Sequence, residues 1–276
     1  MFCDELIMGE RMQESGVSKR VTSHAHEDLK REYSFPQEAF ARLAEVEAGS
    51  FWFRARNELI VWALGNFFPN AGSFLEVGCG TGFVLSGVAK AYPEMLLFGS
   101  EVYRTGLSFA ASRVPRAQLV QMDAREIPFD EHFDAIGAFD VLEHIEEDKA
   151  TLCQIRKALS PGGGLLLTVP QHTWLWSTLD ELAGHVRRYE TDDLHAKLIS
   201  AGFEILLSTS FVSLLLPAML LSRFCKRNDE SPQAELKLNP SLDKVLETIL
   251  RFENRLIHRG IEFPLGGSRL IAARRV

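Results

Sequence analysis

The chain has 276 residues, 46% of them hydrophobic and 24% charged, with a formal net charge of −7. This length suffices for one large domain with a sizeable core. The acidic balance and the lack of a basic stripe with interleaved aromatics argue against nucleic acid as the main partner. The four cysteines have no metal-ligand spacing and are typical of reduced thiols. With no basic n-region at the start, we expect a cytoplasmic protein.

Residues 1–34 are polar and charge-mixed, with little hydrophobic periodicity. We expect a flexible N-terminal tail there, followed by one domain over residues 35–276. His24 and His26 in the tail could bind a metal or simply be solvated.

The aromatic run Phe51, Trp52 and Phe53, with Arg54 and Arg56 directly after it, precedes the first predicted strand. One interpretation is a core helix that anchors the sheet. The other places Trp52 and Arg54 over the mouth of a ligand site.

Short apolar runs alternate with helical patterns along the centre of the chain. We predict strands near 73–78, 96–101, 118–122, 133–139 and 163–169, and helices near 83–91, 105–112 and 147–159. Such alternation predicts a parallel sheet covered on both faces, with ligands bound beyond the carboxyl ends of its strands.

A glycine turn links the first of these strands to a helix. Gly78, Gly80 and Gly82 stand at alternate positions, and Glu76 lies two residues before the first glycine. A dinucleotide site would show Gly-x-Gly-x-x-Gly, and an acidic residue there suits a cationic ligand better than an anionic one. A tight turn without any ligand is the other interpretation.

Two more carboxylates follow strands. Glu101 ends the second strand, where a carboxylate can accept the hydroxyls of a ribose, and Asp123 follows the third. This ordered series resembles the S-adenosylmethionine-dependent class I methyltransferases of the type 11/12-like kind. The resemblance continues through 133–145 and 159–170 and covers roughly 51–211.

The resemblance implies an α/β fold with a doubly wound, mostly parallel, seven-stranded Rossmann-like sheet that has one antiparallel strand and helices on both faces. It also implies S-adenosylmethionine as the cofactor. The implied cofactor contacts are Glu76, Gly78, Cys79, Gly80, Gly82, Glu101, Val102, Met122, Asp123, Ala124, Phe139 and Asp140. For Asp123 and Asp140 a helix-capping role is the alternative.

Three histidines are candidates for the proton acceptor, since a neutral imidazole takes up a proton near pH 7. They are His144, His172 and His185. A structural role for His144 stays open. The sequence shows no metal-ligand set.

The loop after the fifth strand, 171–189, concentrates aromatic and basic residues where the acceptor would lie. Its candidate substrate contacts, beside Trp52 and Arg54, are Trp174, Trp176, Arg187, Arg188 and Tyr189. The arginines suit an acidic or phosphate-bearing acceptor, or else form a solvated surface patch.

The stretch 205–222 is strongly apolar. Its first third serves as the sixth strand and Pro217 interrupts the rest, so we expect no membrane span. The stretch 211–227 forms either a core or lid element, or a helix in peripheral contact with a membrane. A final strand near 268–274 makes 212–265 an insertion between the last two strands.

These observations favour methyl transfer to oxygen or nitrogen of a small-molecule acceptor, which the apolar stretch and the arginines suggest is lipid-linked or anionic. One alternative is an NAD-dependent oxidoreductase on a similar sheet. The other is a catalytically silent module that only binds S-adenosylmethionine.

Overall fold

A computed structural model describes residues 21–23, 35–225 and 239–276. Nearly all of the predicted tail lies outside these residues, as do His24, His26, Lys226 and Arg227. The described strands form one sheet in the order β1-β4-β3-β2-β5-β6-β8-β7. Their bounds are β1 Val21–Ser23, β2 Ser73–Val77, β3 Leu96–Glu101, β4 Gln118–Gln121, β5 Phe133–Phe139, β6 Leu159–Pro170, β7 Phe203–Phe211 and β8 Ser268–Arg275.

The sheet is parallel from β1 to β6, and β8 runs antiparallel between β6 and β7. This is the predicted sheet with one strand more. The additional strand, β1, is a three-residue edge strand that pairs with β4, and it falls within the segment predicted as a flexible tail.

Helices cover both faces of the sheet. Their bounds are α1 Ala39–Val46, α2 Phe51–Phe67, α3 Phe83–Ala91, α4 Arg104–Arg113, α5 Asp148–Ala158, α6 Thr178–Ala183, α7 Thr191–Ser200, α8 Leu216–Cys225 and α9 Pro240–His258. Alternate residues of a strand point to opposite faces, so Phe74 packs in a core with α2, α3, α4 and α9, while Leu75 packs with α5 and α7.

The described residues between β7 and β8 contain the helices α8 and α9. Pro217 does not interrupt a helix, because it lies in the first turn of α8, where its missing N–H is tolerated. Leu215 and Leu216 are buried against the core. Within the described part of the chain, no helix combines the length and apolar composition that crossing a bilayer requires.

Helix α9 is fastened to α2 by polar contacts. The Arg54 guanidinium lies 2.5 Å from the Asp243 carboxylate and 2.6 Å from that of Glu247. The buried Asn254 side chain donates a hydrogen bond to the carbonyl of Ala55. These contacts hold α9 over the sheet face that carries α2.

A glycine between two helices gives the first prediction. Gly82 has φ +76°, and a Cβ there would lie 2.9 Å from the Ala110 backbone of α4, whereas Gly162 has φ +74° and open space around it. Both alanine variants meet backbone strain, but only Gly82→Ala also meets a clash. In urea unfolding, Gly82→Ala should lose about 1–3 kcal/mol more than Gly162→Ala. Equal losses would mean that α3 and α4 do not depend on this close approach.

Candidate active site

The turn after β2 forms a backbone cradle. Gly78 and Gly80 have φ +67° and +52°, a region that favours glycine. The N–H of Cys79 donates to the carbonyl of Ser100 on β3 (2.8 Å), which ties the turn to the neighbouring strand. A Cβ at Gly80 would meet nothing closer than 3.7 Å, so the turn leaves its backbone open to the cavity beside it.

Glu101 connects this turn to the end of β3. One carboxylate oxygen accepts the Gly80 N–H (3.1 Å), and the other accepts the N–H groups of Val102 (2.8 Å) and Tyr103 (3.2 Å). Burial raises the pKa of Glu101, while these three donors lower it. The carboxylate is therefore held rigidly at the strand end.

Glu76 is the buried acid of the cradle, with 3% of its surface exposed. Its Oε2 has no hydrogen-bond partner among the described residues. Burial raises the pKa of Glu76 to about 8, although Arg56 lowers it. An unpartnered buried carboxylate oxygen is costly, and a cationic or N–H-bearing ligand beside it would offset that cost.

The end of β4 supplies the side of the cavity predicted to hold adenine. Met122, Asp123 and Ala124 all line it. The Asp123 carboxylate also pairs with the Arg125 guanidinium at 2.7 Å and accepts the Arg125 backbone N–H at 2.9 Å. Asp123 thus closes its own turn while remaining in the cavity wall, and the turn does not lead into a helix that it could cap.

Arg56 is a site residue that the sequence prediction missed. Its guanidinium lies 2.6 Å from the carboxylate of Asp140 after β5, and 5.0 Å from the centre of the Trp52 ring. Trp52 and Arg56 are four residues apart and share one face of α2, whereas Arg54 faces α9. The four-residue spacing from Trp52, which places both side chains on one face of a helix, is the sequence signal that could have identified Arg56.

The cavity wall also carries two of the predicted proton acceptors. His144 and His185 line the cavity, with ring centres 4.8 Å apart. Burial lowers the pKa of His144 to about 4, with a further lowering by His185. The fully buried Glu143 lies 4.0 Å from His185 Nε2. These three residues place ligand atoms within 4.8 Å of one another, a proximity that their spacing in the sequence does not indicate.

Arg188 is the member of the predicted basic pair that reaches the cavity. Its Nε donates to Asp180 (2.8 Å) and its Nη1 to the carbonyl of Gln171 (3.1 Å). Arg187 and Tyr189 face the other way in this extended segment and meet Asp148 at 2.6 and 2.9 Å. Extended backbone turns alternate side chains to opposite sides, so only one arginine of the pair lines the cavity.

Several predicted site residues do not line the cavity. His172 lies 3.2 Å from Glu190 and stacks on Trp174, whose surface is 55% exposed. Trp176 donates to Glu181 and is half-exposed. The others outside the lining are Gly82, Arg54, Arg187 and Tyr189.

A single cavity of about 1140 Å³ joins these walls. Its lining includes the cradle, the strand ends and two histidines, and also apolar residues of α1, α8 and α9. Those from these three helices are Phe40, Leu43, Leu215, Ala218, Met219, Leu242 and Leu246. Ligand pockets usually measure about 300–1,000 Å³, so this volume suffices for a nucleoside-sized ligand and a second molecule.

The sequence matches a family model described as a methyltransferase domain over residues 47–208, more than half of the chain. The chain belongs to this methyltransferase family. The matched range contains the glycine cradle, Glu101, Asp123 and the His144–His185 wall. The predicted family and α/β fold are confirmed, and S-adenosylmethionine is the cofactor.

Two curated relatives come from Mycolicibacterium smegmatis. A probable S-adenosylmethionine-dependent methyltransferase is 25% identical over 159 residues, 56% of this chain and 60% of that relative. A fatty-acid O-methyltransferase is 31% identical over 97 residues, 34% of this chain and 35% of the relative. The chain therefore spans less than two thirds of these relatives.

A solved structure from Thermotoga maritima shares the fold. It is described as an S-adenosylmethionine-dependent methyltransferase, possibly a histamine N-methyltransferase. It is 14% identical with a TM-score of 0.54, and the match covers 87% of this chain and 95% of that one. At this identity the likeness concerns the fold alone.

The cradle fits the cofactor. The unpartnered Oε2 of Glu76 suits the ammonium group of the methionine part, and Glu101 stands at the strand end that suits ribose hydroxyls. The individual residue roles remain predictions, and two experiments address them.

The first concerns Glu101. Glu101→Gln keeps one acceptor oxygen for the turn but removes the charge that strengthens a hydrogen bond from a ribose hydroxyl. S-adenosylhomocysteine affinity by calorimetry should fall by about 1.5–3 kcal/mol, roughly 10- to 150-fold. Glu94→Gln, on an exposed carboxylate before the same strand, is the control. Unchanged affinity in folded Glu101→Gln would remove this residue from the ribose site.

The second concerns the buried acid Glu76. Its ordinary pKa is 4.5, and in the ligand-free fold burial raises it to about 8. Between these two pKa values the unfolded chain releases the Glu76 proton, whereas the folded chain keeps it. The contribution of Glu76 to the free energy of unfolding therefore falls as the pH rises. The free energy of unfolding should therefore decline more for wild type than for Glu76→Gln between about pH 5 and pH 8. Parallel profiles would contradict a buried, protonated Glu76.

Proposed function

We propose that the chain transfers the methyl group of S-adenosylmethionine to an oxygen or nitrogen of a small-molecule acceptor with an apolar body. The observation that carries this proposal is the mixed lining of one cavity. The lining includes the cradle and two histidines, and its apolar side is the part that α8 and α9 contribute. An acceptor with a polar reacting end and an apolar remainder matches that division.

The residues of the cradle would hold the cofactor, which supplies an electrophilic methyl group when bound. Glu76 and the backbone from Gly78 to Gly80 would bind its methionine part, and Glu101 its ribose. Positioning of this kind supplies much of the rate in a transfer between two bound molecules. Of the three predicted proton acceptors, His144 and His185 face the cavity, so the reacting end of the acceptor belongs beside them.

We assign α8 and α9, which belong to the described part of the predicted insertion 212–265, to acceptor binding as a cover on the cavity. Leu215 and Met219 from α8 and Leu246 from α9 line its apolar side. The other sequence-based interpretation, peripheral membrane contact through 211–227, has less support, because Leu215 and Leu216 are buried. The fatty-acid O-methyltransferase relative fits an acceptor with an aliphatic chain.

The acceptor proposal predicts a dependence on chain length. Methyl transfer, followed as S-adenosylhomocysteine formed, should be measured with straight-chain carboxylic acids and the matching amines of increasing length. Each methylene buried on the apolar side contributes up to about 0.8 kcal/mol, so kcat/KM should rise up to roughly fourfold per carbon until the cavity is filled.

Two variants of α8 serve as a matched pair. Met219→Ala shortens a side chain that lines the cavity, while Leu221→Ala shortens one that is 65% exposed on the same helix. Met219→Ala should flatten the chain-length dependence with cofactor affinity unchanged, and Leu221→Ala should leave both as in wild type. A rate independent of chain length, or equal effects of the two variants, would refute an aliphatic acceptor on this side.

A further inference from the structure

Two histidines and a carboxylate meet on the cavity wall although they come from distant parts of the chain. Glu143 and His144 belong to a short 3-10 turn after β5, Leu142–His144, and His185 follows α6. Their ligand atoms lie within 4.8 Å of one another, and all three residues line the cavity. Imidazole nitrogens and carboxylate oxygens are the donors that divalent metals use in proteins.

Glu143 is the most unusual member of this group. Its surface is 0% exposed, and neither carboxylate oxygen has a hydrogen-bond partner among the described residues. A buried carboxyl group without partners is costly, and native proteins contain few. Such a group needs an explanation, and a bound cation at its oxygens would supply one.

The His185 ring is oriented with one nitrogen toward Asp180 and the other toward Glu143. Its Nδ1 lies 2.9 Å from Asp180, which also accepts from Arg188 and from Ser177. With Nδ1 held by this carboxylate, Nε2 is the ring nitrogen that faces Glu143 Oε1, at 4.0 Å.

His185 Nε2 and Glu143 Oε1, 4.0 Å apart, are too distant for a hydrogen bond. Ligand atoms that share one cation at about 2.0–2.2 Å lie roughly 3–4 Å apart, so the gap has the size that a metal ion needs. A carboxylate that holds the far nitrogen of a histidine is also the usual outer partner of a metal ligand. Asp180 would be the outer partner of His185, through its contact with Nδ1.

We propose that Glu143, His144 and His185 bind a divalent transition-metal ion such as Zn²⁺ or Mn²⁺. A set of two imidazoles and one carboxylate leaves coordination positions open toward the cavity. Oxygen atoms of the acceptor would occupy these positions, and the ion would anchor the acceptor's polar end beside the cofactor. His185 then serves as a metal ligand and not as a proton acceptor.

The site goes beyond methyl transfer and is tested without turnover. All variants carry His24→Gln and His26→Gln, because that pair could bind metal independently. After chelator treatment and dialysis, calorimetry with Zn²⁺ and Mn²⁺ should show one ion per chain in this parent. Glu143→Gln and, separately, His185→Gln should weaken binding by more than the roughly 10- to 100-fold that loss of an outer partner costs. His195→Gln, whose ring bonds Ser208 on β7, is the control and should bind as the parent does.

S-adenosylhomocysteine affinity and circular dichroism of each variant establish that the cradle is folded. If Glu143→Gln unfolds, His144→Gln provides the same test from the exposed side of the group. Co²⁺ added to the parent should give visible ligand-field absorption that is absent in the ligand variants. No binding by the parent, or equal binding by the parent and the folded ligand variants, would overturn the proposal. Cofactor binding in either case would leave the methyltransferase proposal standing.

Discussion

The parallel pairing of β2, β3, β4 and β5 is the constraint on which the site depends. Strands that run in one direction end at one edge of the sheet, so the turns that follow them meet around one cavity although they are distant in the chain. At that edge Glu76 and Glu101 are both buried. Their burial is tolerable because Glu101 accepts three backbone N–H groups, while Glu76 keeps one oxygen for a ligand. The polar character of the site thus follows from the topology and from two carboxylates.

The sheet was predictable because its strands are short apolar runs with glycine or carboxylate at their ends. Such runs must be buried on both faces, and the helical patterns between them leave few arrangements. The three-residue strand β1 carries no such signal, since it lies in polar sequence and is held by pairing with β4 alone. The reading of Pro217 as a break was wrong for a local reason: proline at the start of a helix loses no hydrogen bond.

The directions in which side chains point were harder to predict from the sequence than the sheet was. Consecutive basic residues looked equivalent in the sequence, yet the helical turn of α2 sends Arg54 to α9 and Arg56 to Asp140. Alternation in the extended segment similarly sends Arg188 to the cavity and Arg187 to Asp148. The group of Glu143, His144 and His185 had no spacing to reveal it, because the chain beside His185 meets the turn after β5 only in the folded protein, where the Val186 N–H donates to the carbonyl of Glu143. Local sequence was enough to predict the glycine turn and the strand-end carboxylates, whereas this group required the tertiary structure.

In the proposed complex, one cavity holds the cofactor against β2–β5 and leaves the part under α8 and α9 for the acceptor. A crystal structure with S-adenosylhomocysteine tests this arrangement most directly. We expect ribose hydroxyls within hydrogen-bond distance of Glu101, the adenine ring beside Met122, and the sulfur atom facing His144 and His185. Density for the nucleoside against Met219 and Leu246, with Glu101 uncontacted, would contradict it.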